Sequence, residues 1–317
     1  MYFCAVNSTK SMNMRRLIIV LCIITAQLAV AENRYDEPQK EPHRLRVGLV
    51  LGGGGAKGAV TVGVLKAIEK SGIPIDYIAG TSIGAIVGGM WACGVRSEQL
   101  TELFQNQVWS SLLTDRNETY KNEIWAEEDG VTYIFGFPIA GKGKQKGENR
   151  RKTIGLVHGD NILQLLDSVS GYRDSMAFDQ LPIPFRCVAV DILSLREVVL
   201  DHGHLATAMR ASMAIPGLFK PVELDSMLLI DGGVSNNLPV DVVRAMGADV
   251  VIAVDLTQKK HKEPDDVDIY INPQLDGCDM LSFQADKINK MIVIGEQTGK
   301  KYRKALRRLK KRIMKGE

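Results

Sequence analysis

Short apolar runs alternate along the chain with stretches of helical spacing. Leu45–Leu51 is an apolar strand run that stops at a cluster of glycines. Ala59–Lys70 then places Val60, Val64, Leu65 and Ile68 at helical intervals, and Ser71-Gly72 closes the pattern. Asp76–Ala79 predicts a short strand, and Ile83–Cys93 predicts an apolar helix whose glycines and alanines suit close packing on a sheet. Phe185–Ile192 and Glu197–Leu200 read as strands, and Leu205–Met213 as a helix ended by Ile215-Pro216-Gly217. Met227–Ile230 reads as a strand, Val240–Met246 as a helix capped by Gly247, and Asp249–Asp255 as a buried strand. Gln284–Arg312 predicts a long C-terminal helix. Alternation of this kind predicts an α/β domain with a mostly parallel sheet covered on both faces. Residues 114–155 break the rhythm with an irregular, polar insertion holding Trp125, Tyr133, Phe135 and Phe137. A long insertion in a compact domain is usually functional or disordered, and this one is expected to act as a lid or membrane-facing flap.

The N-terminus follows a different logic. Met14-Arg15-Arg16 is a short basic region, and Leu17–Ala31 is apolar except for Thr25 and Gln27. The run ends in Ala29-Val30-Ala31, a small-x-small cleavage pattern, so residues 1–31 read as a secretory signal peptide. As a helix, Leu17–Ala31 would span only about 22 Å, against about 30 Å of bilayer hydrocarbon. Export to the periplasm or beyond is therefore expected. Residues 32–44 are a polar linker, 45–257 the main domain with its 114–155 insertion, and 258–317 a C-terminal strand and basic helix on the same domain.

The leader takes three of the 40 Lys and Arg residues and none of the 37 Asp and Glu, leaving a balanced remainder and no global argument for nucleic acid. The charge is nevertheless clustered. Lys142–Lys152 holds six basic residues and one acid, and Lys300–Lys315 holds ten basic residues and no acid. Such runs are either solvated surface or contacts for anionic lipid head groups at a peripheral membrane surface. Of the five cysteines, Cys93, Cys187 and Cys278 lie beyond the leader, with no CxxC pattern, and read as buried free thiols. No Cys/His cluster has metal-ligand spacing, so no metal and no cofactor is expected.

The chemistry concentrates in three places. Gly80-Thr81-Ser82-Ile83-Gly84 lies between a predicted strand and an apolar helix. A serine flanked by Gly two residues away on each side suits a sharp strand-to-helix turn that pushes its hydroxyl out at the sheet's edge. Upstream, Gly53-Gly54-Gly55-Ala56-Lys57-Gly58 supplies unhindered backbone N–H groups, as an oxyanion hole needs. The same glycines fit a dinucleotide fingerprint poorly, because the next strand ends in Gly-Thr-Ser rather than an acid. They fit no phosphate-binding P-loop either. A serine needs a base. His43 is in the linker, His158 is near a helix start, and His202 and His204 flank a turn. His261 has the right chain order but sits in a charged, solvated stretch. Asp231 ends an apolar strand before Gly232-Gly233, on the edge where α/β sites form, and a carboxylate in reach of a hydroxyl can take its proton. Alone, Asp231-Gly232-Gly233 reads as a simple turn.

Taken together, the three motifs occur in an order and spacing that resembles the patatin-like phospholipases. The resemblance runs from about Val47 to Asp255 and more loosely through the C-terminal helix. It includes Ala211–Pro216 and Asp231–Pro239, which look like bacterial secreted members. It implies a three-layer α/β fold, a Ser–Asp dyad and metal-free hydrolysis of lipid acyl esters. Carried over, Ser82 is the nucleophile, Asp231 the base, and the amides of Gly53, Gly54 and Gly55 the oxyanion hole. Gly58, Gly80, Gly84, Gly232 and Gly233 support the turns. Lys57 stands where the family often has Arg and lacks its planar fork, which leaves lipid preference open. Some bacterial members continue into a translocation barrel, and none is expected here. The same dyad would also serve a transacylase or thioesterase, and the same fold a non-catalytic lipid-binding protein.

Overall fold

The computed structural model describes residues 44–115, 157–172, 174–257 and 264–317, with the backbone of 125–128, 131–134 and 137–141. Arg44–Glu317 is one unit. Its main sheet has eight strands: β1 (Val47–Leu51), β2 (Tyr77–Thr81), β3 (Phe185–Asp191), β4 (Arg196–Leu200), β5 (Val222–Leu224), β6 (Met227–Asp231), β7 (Val250–Val254) and β8 (Ile269–Ile271). They lie in the order β5-β6-β3-β2-β1-β7-β8, with β4 also on β3. The five strands from β3 to β8 in this order run parallel, and β4, β5 and β6 add antiparallel pairs. The helices are α1 (Gly58–Ser71), α2 (Ile83–Ala92), α3 (Ser97–Asn106), α4 (Trp109–Thr114), α5 (Asp160–Ser170), α6 (Leu205–Ser212), α7 (Val240–Ala245) and α8 (Ala285–Lys315).

Strand alternation sends side chains to two separate cores. Val47, Leu49 and Leu51 of β1 join the large core with α1, α2, α6 and α8. Val50, Ala79, Val251 and Ala253 face the other way and join Val242 and Val243 of α7 in a smaller core. Helices therefore cover both faces, giving the three-layer α/β arrangement. The predicted elements recur with ends displaced by at most three residues, as hydrogen bonding rather than hydropathy decides where a strand or helix stops.

Part of the 114–155 insertion is more regular than its sequence predicts. Trp125–Glu128, Val131–Ile134 and Phe137–Gly141 form a three-stranded antiparallel sheet. Each run is four or five residues long, too short for alternation to stand out. The basic run 142–152, the leader, most of the linker, His43 and His261 lie outside the described residues. Among the cysteines, Cys187 is buried, but Cys93 and Cys278 are only partly covered, a correction to the expectation of three buried thiols. Burial pushes the Cys93 thiol up to about 12.

One feature of the sheet positions the site. β4 pairs with Cys187–Asp191 along one edge of β3. On the opposite edge β2 pairs with Phe185–Val188, and β6 takes up where it stops, pairing with Ala189–Asp191 in the reverse direction. The C-terminal ends of β2 and β6 thus meet head to head: Thr81 lies opposite Val188, and Asp231 lies opposite Ala189.

Candidate active site

Ser82 follows β2 directly and caps α2, with φ 57° and ψ −125°. A positive φ is strained for a residue with a Cβ, and such strain clusters at functional positions. Only glycine fits at the flanks. A Cβ on Gly84 would meet the Leu51 carbonyl oxygen at 2.1 Å, and one on Gly80 would meet the Gly84 oxygen at 2.4 Å. Asp231 comes in from β6, and the Ser82 hydroxyl donates to its Oδ2 at 2.6 Å. Its Oδ1 accepts the Gly233 N–H at 2.7 Å. Gly232 lies so close to β3 that a Cβ there would meet the Val188 oxygen at 2.3 Å.

Ser82 and Asp231 are each 6% exposed. Desolvation raises the Asp231 pKa above its ordinary value, and the bonds from Ser82 and Gly233 offset only part of that rise. The result is a carboxylate of increased basicity touching a hydroxyl, which can accept that hydroxyl's proton. Among the described residues no histidine hydrogen-bonds Ser82. His158 approaches Lys220, His202 pairs with Asp201, and His204 lies 3.0 Å from Asp167.

The glycine loop divides its labour. The Gly53 amide donates to the Asn237 carbonyl oxygen at 3.2 Å, and Ala56 donates to the Met280 oxygen at 2.9 Å. Gly53 is therefore committed to holding the loop against the Asp231 turn, unlike the expectation that grouped it with its neighbours. Among the described residues the Gly54 and Gly55 amides make no hydrogen bond. Gly55, at φ 58°, has the left-handed backbone that favours glycine. Lys57 ends the following turn, half-buried, and Gly58 opens α1.

The structure also brings in residues whose role the sequence leaves unread. The buried Ser212 hydroxyl accepts the Ser82 N–H at 2.9 Å and donates to the Val188 oxygen at 2.6 Å. Two residues on, the Ala214 carbonyl accepts the Asp231 N–H at 3.0 Å. The end of α6 and the residues just past it thus hold the backbone of both Ser82 and Asp231. Ala211–Pro216 stood out by resemblance, but no local pattern reveals a bond spanning 130 residues.

Beside Ser82 lies an apolar cleft whose walls include Ile86, Trp109, Met213, Ile215, Phe219 and Phe283. Its free volume is about 30 Å³. Behind it the buried Arg210 guanidinium sits 4.6 Å from the Phe219 ring and donates to the carbonyls of His158 and Lys220. Desolvation lowers its pKa to about 10.

A hydroxyl on a strained strand-to-helix turn, a buried carboxylate in contact with it and a glycine loop with free amides define a serine–aspartate site at the switch edge of an α/β sheet. Residues 49–244 match the family model described as patatin-like phospholipase, and the chain belongs to that family. It is 35% identical over 211 residues to an uncharacterized NTE family protein of Mycobacterium tuberculosis, covering 67% of this chain and 49% of that one. It is 33% identical over 212 residues to the lysophospholipase NTE1 of Mycosarcoma maydis, covering 67% of this chain and 10% of that one. The chain thus spans half or less of the length of these relatives. Among solved structures, VipD from Legionella pneumophila is similar at a TM-score of 0.44 and 13% identity, over 79% of this chain and 67% of that one.

Proposed function

We propose that this protein is a serine acyl hydrolase that cleaves fatty-acyl esters of phospholipids or related lipids. The observation that carries the proposal is the 2.6 Å bond from the Ser82 hydroxyl, on a positive-φ turn, to the buried Asp231 carboxylate. Ser82 Oγ attacks the ester carbonyl carbon as its proton passes to Asp231 Oδ2. The carbonyl oxygen becomes an oxyanion held by the Gly54 and Gly55 amides. The tetrahedral intermediate collapses, the ester C–O bond breaks, and the leaving alkoxide takes the proton from Asp231. Water, deprotonated in turn by Asp231, attacks the acyl-Ser82 ester; the acyl C–Oγ bond breaks, Asp231 returns the proton to Ser82 Oγ, and the fatty acid leaves. The family supports a lipid substrate, and the name of the fungal relative favours a lysophospholipid among the choices.

The apolar cleft beside Ser82 is the acyl site in this reading. Its free volume of about 30 Å³ is well below the few hundred Å³ of a formed ligand pocket, so the walls part as the chain enters. Export through the 1–31 leader completes the proposal. Protein recovered from cells should begin at Glu32, and N-terminal sequencing reads this directly.

Labelling with a fluorophosphonate probe tests the chemistry. Wild type is expected to label, Ser82→Ala not at all, and Asp231→Asn about 10² to 10⁴ times more slowly, the usual contribution of a general base. A folded wild type that does not label, or a Ser82→Ala variant that hydrolyses lysophospholipid at the wild-type rate, sinks the proposal.

A further inference from the structure

A second concave surface lies on the flank of the molecule, between α1 and α8. The two helices run side by side, close enough that a Cβ on Gly63 would meet the Ile292 oxygen at 2.2 Å and one on Gly299 would meet the Ala67 Cβ at 2.4 Å. These small residues form the floor of a cavity of about 220 Å³. Its walls are cationic. Lys66 and Lys70 stand one turn apart on α1, and Lys300, Arg303 and Arg307 follow at helical spacing on α8.

Among the described residues the charge in this groove is compensated at Lys66 alone. Glu296 is the acid in its lining, and it is engaged with Lys66 at 3.0 Å. Glu98 also turns to Lys66. Among the described residues no carboxylate pairs with Lys70, Lys300, Arg303 or Arg307. Like charges three or four residues apart on a helix repel, and two such sets face one another across the groove. An anion seated between them would relieve both.

The groove is separate from the acyl site. Ser82 lies at the C-terminal edge of the sheet. From Gly58, beside that edge, to Lys70 is about 18 Å of helix. The far end of α8 reaches the opposite edge, where Lys310 bonds the Ser71 carbonyl and the Ile313 carbonyl accepts the Leu45 N–H. A lipid whose ester carbonyl sits at Ser82 does not bring its own head group here.

We propose that this groove is an anion site for a compact phosphorylated ligand carrying at least two negative charges. The cavity is smaller than the 300–1,000 Å³ typical of drug-sized ligands, which suits a group the size of pyrophosphate. The paired arginines offer donor forks that match phosphate oxygens. Because the groove faces away from the Ser82 mouth, a soluble phosphorylated compound is the favoured source over a lipid head group.

Titration calorimetry of the full chain with sodium pyrophosphate, against sodium chloride of matched ionic strength, tests this. Wild type is expected to bind one pyrophosphate saturably. The double variant Arg303→Glu, Arg307→Glu replaces exposed residues by another good helix former and should fold. It is expected to bind roughly tenfold more weakly or worse, since two charge-assisted contacts are lost, while Ser82 labelling stays unchanged. Cosedimentation with phosphatidylcholine vesicles, with and without phosphatidic acid, is the second arm. Phosphatidic-acid-dependent binding that the double variant loses, without pyrophosphate binding, supports the site with a lipid head group as the source. No saturable binding of wild type in either arm, or equal binding by the double variant, overturns the proposal. Because labelling is read on the same samples, failure of this site is distinct from failure of the acyl hydrolase reading.

Discussion

Asp231 does two opposed things to this protein. Burial makes it a better base, and burial also makes its charge a burden on the fold. Its pKa in the folded chain lies above the unfolded value, so the folded state holds the proton more tightly. The stability linked to this group is fullest in acid, below the ordinary carboxylate pKa of 3.8, and is lost as pH rises through the raised value. Asp231→Asn should therefore melt higher than wild type at neutral pH, with the gap closing in acid, although it loses activity. A melting series from pH 3 to pH 8 measures this. In the same way, kcat/KM should fall on the acid side with an apparent pKa above 3.8, as Asp231 protonates and can no longer accept the serine proton. Ser212 makes a different prediction. Ser212→Ala removes the acceptor from a buried N–H and frees the serine turn from β3, and a displaced nucleophile costs about 10²-fold in rate. The expected signature is a fall in kcat with little change in KM, partly restored by Ser212→Cys. An equal loss in both variants with a collapsed melting temperature would mean a purely structural role. Ser82 and Asp231 were legible because each sits in a local motif at a strand's end. Ser212 and Ala214 were not, because their bonds are made across the fold.

At the scale of elements, the site depends on two strands sharing one edge of β3. The hydropathy of β2 and β6 predicts both strands, but nothing in either run says that they abut end to end at Val188 and Ala189. The glycines of α8 carry similar hidden information. A Cβ on Gly295 would meet the Val60 carbonyl at 2.0 Å, inside the α1 backbone, where no side chain can give way. Gly295→Ala should cost about 1–3 kcal/mol by overpacking, despite the better helix propensity of alanine. Chemical denaturation would show it as a lower midpoint with an unchanged slope. In the sequence Gly295 reads only as a weak spot in a helical pattern.

At the scale of the whole molecule, α8 is part of the core rather than an appendage. Ile288, Met291 and Ile292 are buried at its start and Leu306, Leu309 and Ile313 near its end, so one stripe holds it to the body along its length. Ending the chain at Gln297 should expose the α1 face beneath and leave a protein without a cooperative melting transition, which circular dichroism reads. The formal net charge of +3 is likewise unevenly distributed by the fold, which carries the basic half of α8 along the flank to the edge opposite Ser82. What the sequence by itself determined is the alternation of strand and helix, the two-sided sheet and the two strand-end turns that carry Ser82 and Asp231, because these follow from periodicity and from turns only glycine can make. Tertiary structure alone decided the sharing of β3's edge, the bond that holds the Gly53 amide, the contacts from the end of α6 to Ser82 and Asp231, and the cationic groove. Each depends on partners far apart in the chain, and no local pattern specifies who meets whom.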